Sequence, residues 1–270
     1  MKSVLLLTFA VGLSHVAPAW AGAISIGQLI AKRAPKHIAV EYDCEKDNGR
    51  GGFETCNTMC FGLLCRSGND KLEFDHPDDD TKAARRNSAG CSRNNRCGES
   101  PYGSGYECDE FPFAETTGGG SRFNRCVLSK GQKYQGGKIR AWRDAGKYCN
   151  KEKGCTISIT LNRASNYRYC KPSPDCTNDG NLYDSNGKVK WPENKKSKRS
   201  TGAGYYRLRS GGITFSPTPL PIGTLVLRDV PINGTLDDED GLVARPAILD
   251  YGAFEQDTQI VEDEVVGVLL

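Results

Sequence analysis

The chain has 270 residues, 37% hydrophobic content, 31 glycines, 12 cysteines and a formal charge of +3. Its length allows a real core, yet so low an apolar fraction suits one compact domain with long loops better than two full ones. The only sustained apolar run, Val4 to Leu13, is about half of what a membrane span needs, so no membrane partner is expected.

That run follows Lys2 and reads as a secretory signal peptide over residues 1–21, with Ala19-Trp20-Ala21 as the small-x-small pattern for cleavage before Gly22. Lys32-Arg33 then offers a dibasic site that would free Ala34, leaving 22–33 as a pro-segment. All twelve cysteines lie beyond it, so an even number of thiols would enter an oxidising compartment and pair. Cys91/Cys97, Cys149/Cys155 and Cys170/Cys176 each enclose five residues and are expected as local pairs, with Cys108/Cys126 closing a loop. The spacing Cys56-x3-Cys60-x4-Cys65 would also pass for zinc ligands, but no histidine stands near it and secretion favours bridges.

In chain order, His37 to Tyr42 reads as a short strand, and Asp75-His76-Pro77-Asp78-Asp79-Asp80 as a solvated acidic turn. A helix is expected over Asp79 to Ala89, whose leading acids suit a helix N-terminus. Phe123 to Leu128 is a strand candidate, and Gly137 to Tyr148 is a helix that places Ile139, Trp142 and Ala145 on one face. Thr156 to Leu161 alternates apolar and polar residues, as a half-buried strand should. The lysine-rich stretch Asn186 to Arg199 is expected as an exposed loop, and Tyr205 to Arg209 as a further strand.

Charge divides the chain. Residues 34–212 carry 31 Lys+Arg against 22 Asp+Glu, a balance of +9, whereas residues 213–270 carry 2 against 11, a balance of −9. The second segment holds Ser216-Pro217-Thr218-Pro219-Leu220-Pro221 and Asp237-Asp238-Glu239-Asp240 and has no cysteine. It reads as an acidic, partly disordered tail that would compete with a polyanion for a basic groove, although Thr224 to Val230 and Val265 to Leu270 could form edge strands. Asn233-Gly234-Thr235 is a glycosylation sequon. The fold class expected is α+β: a small disulfide-rich domain over 34–212 with a short antiparallel sheet, followed by the tail over 213–270.

The segment with most chemistry is Cys108-Asp109-Glu110-Phe111-Pro112-Phe113-Ala114-Glu115, followed by Gly118-Gly119-Gly120 and Gln135-Gly136-Gly137. An acidic pair set before a proline and flanked by large aromatics holds a carboxylate in one orientation near a partly dry surface. Arg122, Arg125, Lys130, Lys133, Lys138, Arg140 and Arg143 crowd it. A carboxylate in a basic field is what metal-assisted phosphodiester cleavage uses, because water must be activated while cations hold the phosphate. Arg122, Arg125 and Lys138, with Arg85 and Arg86 upstream, are the candidate phosphate contacts.

Together with Lys82-Ala83-Ala84-Arg85-Arg86-Asn87, these motifs resemble the core signature of secreted deoxyribonucleases of the NucA/NucB type. The resemblance implies a ββα-metal-like nuclease core in which aspartate takes the place of the usual histidine base, here Asp109. The histidines agree, since His15 leaves with the signal and His37 and His76 lie far from the signature. At its reference pKa, about 3.9, such an aspartate would be ionised. The remaining acids for a divalent, Mg- or Mn-like ion are Glu110, Glu115 and Asp144. Two positions depart from the family pattern: Gly118 stands where an acid usually precedes the glycine pair, and Gln132 where an asparagine helps to order the metal site. Asp109, Glu110 and Gln132 are thus the expected catalytic set, in a monomer acting on DNA or RNA outside the cell. The alternative is a secreted binding or effector protein that kept the nuclease fold and lost its chemistry.

Overall fold

Strand β1 (Ile38–Asp43) pairs in parallel with two strands far away in sequence, β5 (Cys155–Asn162) and β8 (Leu225–Pro231), and so becomes the seam that closes a barrel. In the computed structural model the barrel order is β1-β8-β9-β6-β7-β5, with β6 (Gly204–Leu208), β7 (Ile213–Ser216) and β9 (Thr258–Leu269) joined by antiparallel pairing, and β1 bonded back to β5. Strand β2 (Leu72–Phe74) adds to the outside of β5. The structure describes residues 38–45, 53–66, 71–93, 95–120, 123–144, 155–186, 202–231 and 258–269, all within the unit Pro35–Leu270. The expected signal peptide, pro-segment, sequon Asn233, lysine-rich loop and Asp237–Asp240 run lie outside the described residues.

The expected short antiparallel sheet is therefore replaced by a six-stranded mixed barrel. Alternation in β5 was legible, but of its alternating polar residues only Thr156 is exposed: Ser158 and Thr160 are as buried as Ile157, Ile159 and Leu161. One side of the strand lines the barrel and the other packs under helices, so both are dry. The same split runs through β1, where Val40 and Tyr42 join the main core and Ala39 joins a second cluster with Tyr206, Leu208, Leu220, Val226 and Val265.

The acidic C-terminal segment supplies half of this barrel. Its strands β8 and β9 are inside the sheet rather than at an edge. Its charges are also used: Arg228 of β8 donates to Glu41 at 2.8 Å and to Asp263 at 3.0 Å, tying β1, β8 and β9 together. Arg209 pairs with Glu264, and Asp229 pairs with Lys138. Acids so engaged cannot compete for a groove, so the stretches that form β7, β8 and β9 belong to the folded barrel rather than to a tail.

Helix α1 (Phe53–Cys60) continues as a π-helical turn (Phe61–Cys65). Helix α2 (Asp79–Ala89) matches its expected bounds because its ends are written locally: Asp78 accepts from the Thr81 N–H at 2.7 Å, and Gly90 closes it at φ 88°. Helix α3 (Ser129–Asp144) begins eight residues before the expected start at Gly137. Gly136 and Gly137, poor helix formers, lie in its interior because burying Tyr134, Ile139 and Trp142 against Tyr42 outweighs their roughly 1 kcal/mol cost each.

Disulfides fix the helices to the sheets, and the expected pairs Cys91/Cys97, Cys170/Cys176 and Cys108/Cys126 are replaced by others. Cys91 bonds to Cys108 and Cys97 to Cys126, so the turn after α2 is stitched to two different strands. Cys60–Cys170 and Cys65–Cys176 tie α1 and its π-turn to the loop after β5, and Cys44–Cys56 ties β1 to α1. Local pairing fails at Cys91/Cys97 and Cys170/Cys176 because each cysteine of these close pairs sits on a backbone that faces a different neighbour. Cys155 is disulfide-bonded too, while Cys149 lies outside the described residues. No zinc-type group of three or more His, Cys, Asp or Glu converges among the described residues.

Truncation after Gly212 removes β7, β8 and β9, three of the six barrel strands. The shortened protein is expected to lose its far-UV circular dichroism signature of folded structure and its resistance to trypsin. A folded, protease-resistant product would contradict the barrel.

Candidate active site

Strand β3 (Tyr106–Glu110) pairs antiparallel with β4 (Asn124–Leu128), with Asp109 opposite Arg125, and β4 runs directly into α3. This is a ββα unit. Among the described residues β3 has β4 as its only strand neighbour, and its other edge lies along a cleft of about 550 Å³. Gln132, Gln135, Ile139 and Arg140 of α3 form one wall, while Arg86 of α2 and Arg93 and Asn95 beyond it form the other. The Asp-Glu-Phe-Pro-Phe segment is held from below: Phe111 and Phe113 are buried edge to face at 5.2 Å. Gly62 of the π-turn lies directly under Phe111, where a Cβ would collide with the ring.

Asp109 sits at the cleft floor, 1% exposed, and neither carboxylate oxygen has a hydrogen-bond partner. Thr58 of α1 and Gln135 of α3 face it without completing a bond. Burial pushes its carboxyl well above the ordinary carboxylate range; Thr58 and Gln135 oppose this, Glu110 adds to it, and Arg125 opposes it weakly. The environment thus disfavours the charged carboxylate that the sequence reading expected there. Glu110 is 7% exposed, and burial lifts its carboxyl to about 7 against the pull of Arg86. Oε1 of Gln132 and Nε2 of Gln135 are likewise buried without partners. Gln135, quoted only as part of a motif, thus stands beside Asp109.

The expected phosphate contacts separate into two groups. Arg86 faces the cleft and makes no ion pair among the described residues; the same holds for Arg140, expected only as part of the basic field, and for Arg93, which received no role from sequence. Arg85 instead grips Asp75 with two bonds of 2.9 and 2.5 Å and donates to the Ala114 carbonyl, bracing the loop that follows the motif. Arg125 is 1% exposed and bonded to Asp179 at 2.7 and 3.0 Å and to Glu54 at 3.3 Å, so its charge faces away from the cleft. Lys138 is buried under α3 against Asp229, with its ammonium over the Tyr134 ring. Arg122 lies outside the described residues.

Of the acids expected to hold a metal, Glu110 and Glu115 line the cleft. Glu115 accepts a bond from Arg143 at 3.1 Å and lies 3.9 Å from Lys82, so its charge is already matched. The side chain of Asp144 lies outside the described residues. Gly118 has φ 78°, a conformation that favours glycine, which accounts for the missing acid at that position.

Asp179 carries the buried Arg125. Burial alone would raise its carboxyl, but the bonds and charge of Arg125 hold it below the ordinary 3.8. A lowered folded-state value means stability that is present at neutral pH and lost as pH falls through it. Asp179→Ala leaves the guanidinium buried beside Glu54 alone and should cost about 3–5 kcal/mol in urea unfolding at pH 7. A cost under about 1 kcal/mol would show that water reaches Arg125.

No helix among the described residues is long and apolar enough to cross a membrane. No curated protein and no solved structure matches the chain. Residues 59–153, which run from α1 through the cleft to the end of α3 and beyond, match the family model Deoxyribonuclease NucA/NucB, the type that the Cys-Asp-Glu-Phe-Pro-Phe-Ala segment resembles.

Proposed function

We propose that this chain is a secreted, divalent-metal-dependent endonuclease that hydrolyses DNA phosphodiester bonds with little sequence preference. The observation that carries this reading is the carboxyl of Asp109, without a hydrogen-bond partner among the described residues, at the floor of a cleft bordered by Arg86, Arg93 and Arg140, which make no ion pair among those residues. Secretion is supported by the five disulfides among the described residues.

Both oxygens of Asp109 and Oε1 of Gln132 are buried oxygen donors without partners. A hard cation that keeps several waters and takes one or two protein oxygens suits such a set. The residues present therefore fit a divalent ion, with Asp109 and Gln132 holding it. When bound, it would polarise the phosphoryl oxygen and acidify water. Glu110, with its carboxyl near 7, is poised at neutral pH to take the proton of the attacking water as oxygen bonds to phosphorus and the ester P–O bond breaks. The cleft arginines neutralise the charge that develops on the phosphate. Asp109 is thus assigned as ligand rather than base, on its buried oxygens that, with Oε1 of Gln132, have no hydrogen-bond partner among the described residues.

A second reading, a binding protein without chemistry, is favoured by the absence of three converging acid, histidine or cysteine side chains among the described residues. The two separate on supercoiled plasmid. Mature protein is expected to nick it with Mg²⁺ or Mn²⁺ and not in excess chelator, and Asp109→Asn to lower the rate at least a hundredfold with an unchanged melting temperature. Binding without nicking would establish the second reading, and full cleavage by Asp109→Asn would exclude the assigned chemistry.

A further inference from the structure

The cleft ends in a feature that hydrolysis does not use. Tyr106, the first residue of β3, lines it and is 37% exposed. Its ring rests on Tyr102 at 5.3 Å between centroids, and Tyr102 is fixed by a 2.9 Å bond between its hydroxyl and that of Tyr183. Tyr102 and Tyr183 in turn pack on the Cys97–Cys126 bridge. Tyr106 is thus a partly exposed ring at the cleft, backed by Tyr102, Tyr183 and a disulfide.

We propose that Tyr106 is a base-stacking platform, and that the cleft takes a single nucleic-acid strand in preference to a duplex. The inference rests on the nuclease reading for its site and extends it to the form of the substrate. Tyr106 and Asp109 point to opposite faces of β3 but both line the cleft along its edge, three residues or about 10 Å apart, which is the length of about three stacked nucleotides at a 3.4 Å rise. A strand whose backbone lies along Arg93 and Arg140 with a phosphate at Asp109 can therefore set a base on the tyrosine. Stacking on an aromatic side chain needs a base face uncovered by its neighbours, which a single strand offers and a duplex does not. A cleft of about 550 Å³ also has room for nucleotide-sized groups rather than for a double helix, which could lie only across its mouth.

The test uses the full mature protein in excess chelator, so that binding is read without cleavage, with a fluorescein-labelled dT12 strand and a 12-base-pair duplex at low salt. Fluorescence anisotropy is expected to show the single strand bound at least tenfold more tightly. Tyr106→Leu should lose about tenfold on the strand and little on the duplex, and Tyr106→Phe should keep the preference. Arg93→Gln should weaken both ligands alike, because it removes only a phosphate contact. Equal affinity for strand and duplex, no measurable binding of the strand, or an equal loss on both ligands in Tyr106→Leu would overturn the proposal. A protein that binds the strand through Tyr106 but never nicks DNA would overturn the nuclease reading and leave this one standing.

Discussion

Burying a carboxyl group without a hydrogen-bond partner is costly, by a few kcal/mol even when it is neutral. Asp109 is buried in that way between α1, the β3–β4 hairpin and α3. The rest of the molecule explains how such a group is kept in place. The hairpin is bound to the turn after α2 by two disulfides, and α1 is bound to β1 and to the loop after β5 by three. With both partners pinned, Asp109 cannot swing out to water, and its cost is met by the surrounding core.

The barrel matters to the cleft through α3. That helix carries Gln132, Gln135 and Arg140 and rests on the barrel through Trp142 against Tyr42 and through Lys138 against Asp229 of β8. The acidic segment thus contributes to the site by holding its helix. Opposite charges in the two halves of the sequence meet as buried pairs, Glu41–Arg228–Asp263 and Lys138–Asp229, rather than as a groove and a competing tail.

Local features were legible in the sequence and distant pairings were not. Asp78 and Gly90 announce both ends of α2, and the alternation of 156–161 announces β5. Nothing local says that β1 will pair in parallel with strands more than a hundred residues away, so barrel closure was missed and the polar residues of β5 were assigned to solvent. The motif located the cleft correctly, but not which charges enter it. Arg125 alternates with Asn124 and Cys126 on β4 and turns toward Asp179, and Lys138 falls on the barrel side of α3. Arg93 and Arg140 offered no signal beyond being basic. The burial of Asp109 depends on how two helices close over a hairpin, which its own neighbours in sequence do not specify.

Binding of Mn²⁺ to the mature protein at pH 7, followed by calorimetry, tests most directly whether the buried carboxyl of Asp109 holds a cation at the cleft floor. The expected result is one ion bound, and loss of that binding in Asp109→Asn. No binding by the mature protein, or unchanged binding by Asp109→Asn, would contradict it.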